Sequence, residues 1–173
     1  MSSTFSEQLA PHYFSVLQRS LNTGECQTLN KKTCRLCFAS SLTYEDEQQR
    51  KNSVLQEFWN SLNIPIPLQP IISSPAGRHY RTVSKRKAFL VNNRFSLGLI
   101  GVDDDTSKSF PMSIGECVIE PRVHSEVYTV IQEFIRRPEC AELATEFTYV
   151  VVKGGEQEVA VIFNMNHFSS GNR

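Results

Sequence analysis

The sequence lacks a long apolar run. Nothing in it approaches the roughly 18 consecutive apolar residues of a membrane-spanning helix, so no membrane partner is expected. It also lacks a charge of one sign. Eighteen Lys and Arg are matched by eighteen Asp and Glu, so any pull on nucleic acid must come from a local patch. A secretory leader is not expected either, because Glu7, His12 and Arg19 interrupt the first twenty residues. With five cysteines, an odd number, the chain fits a reducing compartment, and the expected location is cytoplasmic. Histidine is sparse: His12, His79, His124 and His167 show no ligand spacing. No serine–histidine–acid order stands out, which argues against a hydrolase. Glycine is sparse too. The only adjacent pair, Gly154-Gly155, joins two β-like runs and opens no helix, so it is no nucleotide-cradling loop.

What is present is cysteine in an organised pattern. Cys26, Cys34 and Cys37 follow Cys-x7-Cys-x2-Cys, and Cys117 lies far downstream in Gly115-Glu116-Cys117-Val118-Ile119. Three close thiols and a distant fourth form the layout of a four-thiolate site. A [4Fe–4S] cluster and a structural zinc both take four thiolates, and the spacing does not separate them. The Cys-x2-Cys step favours metal over disulfide in an intracellular chain. Lys31, Lys32 and Arg35 lie in the same loop. They either lower the thiol pKa values or are solvated loop charges. The plainer alternative is three unrelated surface cysteines and one buried one. Cys140 stands apart from the pattern.

At 173 residues and 40% apolar composition the chain can bury a core. An extension over 1–25 contains a weak, Pro11-broken amphipathic stretch. The cysteine loop and a helix over 43–63 follow. Thr43-Tyr44-Glu45-Asp46 reads as a capping box with Asp in place of Glu, and Val54, Leu55, Phe58, Trp59 and Leu62 as the apolar face. Trp59 on that face reads as core. Residues 64–173 are expected to form an antiparallel central domain, compact with 26–63. Repeated prolines extend the chain over 64–75. A strand then leads to a Val91-Asn92-Asn93-Arg94 turn and a return strand from Phe95 to Val102. Asp103-Asp104-Asp105 reads as a solvated turn. A short strand over 110–120 carries Cys117. A helix over 122–137 presents Val123, Val127, Val130, Ile131, Phe134 and Ile135. The last hairpin pairs Phe147–Lys153 with Val159–Phe163 across Gly154-Gly155. The expected class is α+β: an antiparallel sheet of two hairpins packed with two amphipathic helices, plus the cysteine-rich loop.

The segment 78–87 carries Arg78, His79, Tyr80, Arg81, Lys85, Arg86 and Lys87 with no acid between them. Side chains alternate along a strand, so Arg81, Lys85 and Lys87 would share one face while Arg86 points to the other. The basic groups suit phosphates, and Tyr80 suits an unpaired base. A solvated basic hairpin is the alternative.

Several of these features recur in one order. They are Cys26…Cys34-x2-Cys37, Tyr44 with Lys51, Ser74-Pro75 followed by Tyr80-Arg81, and Gly115-Glu116-Cys117-Val118-Ile119. Together they resemble the N-terminal half of the iron–sulfur RNA 5-methyluridine methyltransferases, over residues 26–163. The resemblance implies a [4Fe–4S] cluster on Cys26, Cys34, Cys37 and Cys117, with zinc as the alternative. It implies a ribosomal or transfer RNA partner meeting Arg78, His79, Tyr80, Arg81, Lys85 and Lys87. The first cysteine gap is seven residues against the family's usual five, and Thr82 and Val83 follow Tyr80-Arg81 in place of a polar or basic pair. The family's preceding RNA-binding barrel, its S-adenosylmethionine loop, its nucleophilic cysteine and its terminal glutamate have no counterpart here. The chain is therefore expected to be a fragment or truncated relative, inactive in methyl transfer by itself. S-adenosylmethionine would enter only with a methyltransferase domain from a missing C-terminal half. The competing expectation is a zinc-stabilised nucleic-acid or protein interaction module with no catalytic role.

Overall fold

The structure is a computed structural model that describes Thr4, Glu7, Glu25, Cys26, Cys37 and residues 42–102 and 106–166. The expected helix within 1–25, Cys34, the Asp103–Asp105 turn, and the tail from His167 lie outside the described residues. The chain divides into two compact units, Met1–Arg78 and His79–Arg173.

In the first unit, helix α1 runs Tyr44–Ser61. The expected cap is present. Thr43 Oγ1 accepts the Asp46 N–H at 3.1 Å and donates to the Asp46 carboxylate at 2.7 Å. Glu45, Asp46 and Glu47 place negative charge in the first turn, where the helix dipole favours it. Asn63, with φ of 52°, turns the chain out of the helix.

The proline-rich segment after α1 runs back along the helix. The Trp59 indole N–H donates to the Ile66 carbonyl at 2.7 Å. Asn52 Oδ1 accepts the Ile71 N–H at 2.7 Å, and Tyr44 Oη accepts the Ser74 N–H at 2.8 Å. Proline-rich backbone cannot satisfy itself by regular pairing, and helix side chains supply the partners. The segment 64–78 belongs to the first unit, held along α1 by these bonds. Gly77 is required there, because a Cβ would lie 2.3 Å from the Tyr44 ring.

The second unit is a five-stranded antiparallel sheet with helices, the expected α+β class. Its strands are β1 (Val83–Val91), β2 (Arg94–Val102), β3 (Ser109–Ser113), β4 (Phe147–Gly154) and β5 (Val159–Met165), in spatial order β3-β2-β1-β4-β5. β1 and β2 form the expected two-residue hairpin. Asn92 and Asn93 take φ values of 51° and 60°, and Val91 pairs with Arg94. Helix α2 (Arg122–Ile135) and the short α3 (Ala141–Glu146) connect β3 to β4. Pro138 ends the α2 region as expected and opens a 3₁₀ turn to Cys140. The third helix was not anticipated.

Two expectations are corrected here. Cys117 is not on a strand. β3 ends at Ser113 because Arg86 takes the next two carbonyls, Ile114 O at 3.1 Å and Gly115 O at 3.0 Å, drawing the backbone away from β2. The buried face of α2 also differs. His124, Tyr128 and Ile135 are buried, while Val130 and Phe134 are 64% and 49% exposed. The core gathers Tyr128 and Ile135 with Phe95, Leu97, Ala144, Phe147, Val150 and Val152. Phe95 and Phe147 meet edge to face at 5.7 Å.

Candidate nucleic-acid interface

Alternation along β1 assigns its basic residues to two environments. Ser84 and Arg86 are buried, at 2% and 1% exposure, while Lys85 and Lys87 are exposed. The opposite orientation expected for Arg86 is therefore observed, and it leads into the core. Arg86 donates to Glu120 at 3.1 Å, to Ser125 Oγ, and to the two carbonyls after β3, and its guanidinium lies 4.1 Å from the centre of the Tyr128 ring. Beside it, Ser84 Oγ sits 2.9 Å from His124 Nδ1 and 3.0 Å from Tyr128 Oη. His124 Nε2–H donates to the Gly154 carbonyl at 3.2 Å. In the neutral imidazole that donation leaves Nδ1 to accept the Ser84 proton, and the Tyr128 hydroxyl lies between Ser84 Oγ at 3.0 Å and the Val150 carbonyl, to which it donates at 3.4 Å. Burial pushes the Tyr128 phenol above its ordinary pKa. The Ser84 hydrogen bond and the Arg86 charge pull it down, without offsetting the burial. Every member is enclosed, so the Ser84–His124 pair holds the fold together and meets no solvent.

Lys85 and Lys87 are on the other side of β1. Lys85 pairs in register with Val151, and Lys87 with both Tyr149 and Gly98. The Lys85 ammonium rests 3.7 Å from the centre of the Tyr149 ring. These side chains, with Leu99, Ile100 and Thr148, line a groove of about 380 Å³. Gly98 forms part of it because β3 is close: a Cβ there would meet the Met112 carbonyl at 2.0 Å. Lys153, paired with Val83, extends the row of cations. None of the five strands contains an Asp or a Glu. Sequence reading centred on 78–87 missed Tyr149 and Lys153. They lie more than sixty residues away, and only the β1–β4 register brings them to Lys85 and Lys87.

The other expected RNA contacts divide. Arg78 is in the first unit and is occupied. It pairs with Glu47 at 2.7 Å and with Glu25, and stacks 5.3 Å from the centre of the Tyr44 ring. Burial lowers the Arg78 pKa, but the hydrogen bonds it donates to Glu47 and Glu25, with their charges, outweigh it and leave the pKa raised. Glu47 shows the converse. Burial raises its pKa, yet Lys51 and Arg78 together hold it below the ordinary carboxylate range. His79 adopts φ of 57° and donates from Nδ1 to the Glu120 carbonyl at 2.7 Å. Tyr80 is 58% exposed, and Arg81 is exposed but precedes β1. Their segment is fixed by His79 N–H to Val118 O at 2.8 Å and Arg81 N–H to Ile119 O at 2.9 Å. Tyr80, Arg81, Lys85 and Lys87 remain available to a ligand.

Of the proposed metal ligands, Cys26 is buried in the first unit, and Cys37 is half-buried there. Cys117, half-buried, begins a turn closed by Glu120 N–H to Cys117 O at 3.0 Å in the second unit. Among the described residues no group of three or more His, Cys, Asp or Glu is gathered as a metal site, and Cys34 lies outside them. No described helix is long and apolar enough to cross a membrane. No protein-family model matches the chain, and comparison with curated proteins gives no significant match.

Proposed function

We propose that this chain binds single-stranded RNA on the Lys85–Lys87–Tyr149 face of its sheet and carries an inorganic centre on Cys26, Cys34, Cys37 and Cys117. The observation that carries the RNA reading is an acid-free sheet whose open groove pairs two lysines with an aromatic ring. Single-stranded nucleic acid is bound by that combination, cations along the backbone and aromatic faces under the bases. The Lys85 ammonium occupies the Tyr149 ring in the free protein. An incoming base would take that ring, and Lys85 would move to a phosphate. Tyr80 and Arg81 extend the surface at the start of β1.

The resemblance to the RNA 5-methyluridine methyltransferases supports the same partner and names a ribosomal or transfer RNA. Methyl transfer is not assigned to these residues; a methyltransferase domain would supply S-adenosylmethionine chemistry. The donor set suits the centre, since thiolates hold both [4Fe–4S] clusters and structural zinc. The cysteine complement fits a cytoplasmic setting.

The RNA reading is tested by titrating single-stranded RNA at several salt concentrations. Removing Lys85 and Lys87 together should flatten the log–log salt slope by about 1.4, at about 0.7 for each phosphate no longer neutralised. Tyr149→Ala should weaken binding by about 1–3 kcal/mol with little change of slope. Unchanged affinity in both folded variants would refute the reading.

The centre is tested by single Cys→Ser replacements and metal analysis of protein purified without air. Cys26, Cys34, Cys37 and Cys117 should each be needed for bound metal, and Cys140 should not. A brown protein containing iron indicates the cluster; a colourless one with zinc indicates the interaction-module alternative. Full metal content in Cys117→Ser would remove it from the ligand set.

A further inference from the structure

At the turn end of the β1–β2 hairpin, a second groove of about 380 Å³ opens between the hairpin and the end of α2. Arg94, Arg136 and Arg137 line it together with Leu90, Phe95 and Pro138, and its lining contains no carboxylate. Arg136 is fixed there, since its Nε donates to the Phe95 carbonyl at 2.7 Å. The guanidinium of Arg137 is steadied 4.9 Å from the centre of the Phe134 ring. Arg94 and Arg137 are exposed. No ion pair is found for any of the three among the described residues. Elsewhere in the second unit, Arg86 has Glu120 as its counter-charge.

We propose that Arg94, Arg136 and Arg137 form a phosphate-binding site, and that its occupant is a phosphodiester of the RNA strand that crosses the sheet. Three forked guanidinium groups in a concave setting match a phosphate's oxygens. The crowding has an electrostatic consequence. Burial first, and the Arg94 charge second, lower the Arg136 pKa, while Glu133 opposes this more weakly. A bound anion relieves that repulsion. The groove lies at the turn end of the hairpin, on the α2 side of the sheet. Lys87 lies four residues along β1 from Val91, which pairs with Arg94, a separation of about 13 Å at the rise of a β-strand. The Tyr149 groove lies on the opposite side of the sheet, so an RNA leaving it reaches these arginines by passing round the hairpin turn. The RNA source of the phosphate rests on the reading above, whereas the anion site itself does not.

The test compares the intact protein with an Arg94→Gln/Arg137→Gln variant. Both replaced side chains are exposed, and Arg136 keeps its bond to Phe95. Binding of a trinucleotide and of a dodecanucleotide single-stranded RNA is titrated against salt. The variant should flatten the dodecanucleotide slope by about 1.4 and leave the trinucleotide, held in the Tyr149 groove, unchanged. If the dodecanucleotide binds with the same slope and affinity in both proteins, the site is overturned. If the unaltered protein binds neither RNA, the RNA reading fails, and pyrophosphate decides the anion site. Saturable shifts of the Arg136 Nε–H nuclear magnetic resonance, absent in the variant, would then keep it as a site for free phosphate. No shift would overturn it.

Discussion

Arg86 carries a full charge into a position 1% exposed. It is tolerable because four acceptors meet it: Glu120, Ser125 and the Ile114 and Gly115 carbonyls. A buried pair of this kind gives little net stability over an apolar pair, but breaking it leaves an uncompensated charge. Glu120→Ala should therefore cost about 3–5 kcal/mol in urea unfolding. The double variant Arg86→Met/Glu120→Leu should recover much of that loss. A cost below about 1 kcal/mol for Glu120→Ala would mean that the charge escapes to water. The loop from Ile114 to Glu120 carries Cys117, so its shape depends on the same guanidinium. In the sequence, alternation showed Arg86 facing away from Lys85 and Lys87. It did not show that this direction was the core, because the balancing carboxylate is thirty-four residues away. His124 was equally hidden. A search for ligand spacing passes over a histidine whose partners are a serine, a tyrosine and a carbonyl.

Elements with local signals were readable from sequence. Thr43 and Asp46 fix the start of α1 within one turn, and Asn92-Asn93 fixes the first hairpin, because both rest on neighbouring residues. Gly154-Gly155 did the same for β4 and β5. Errors arose where a distant group decided the outcome. β3 stops where Arg86 captures the backbone, which no feature of Ile114 or Gly115 announces. On α2, counting apolar residues chose Val130 and Phe134, while the buried positions include His124 and Tyr128. A polar residue with its hydrogen bonds satisfied can occupy a core position, and a hydropathy pattern excludes it. The path of 64–75 was readable as extended from its prolines. Its attachment to α1 depends on Tyr44, Asn52 and Trp59, whose polar atoms reach it over seven to thirty residues.

At the scale of the second unit, the sheet is what separates the two chemistries. One side of β1 supplies Ser84 and Arg86 to the core, and the other supplies Lys85 and Lys87 to a groove with Tyr149 and Gly98. The basic stretch was readable as a candidate surface, but its aromatic partner came from β4. The central claim, that this face receives single-stranded RNA, is tested most directly by mapping amide resonances of the folded protein during titration with single-stranded RNA. The largest shifts should fall on Lys85, Lys87, Gly98, Tyr149 and Val151, saturate together and weaken with added salt. Saturable shifts confined to α1, or to α2 residues outside the arginine groove, with the sheet resonances unmoved, would contradict it.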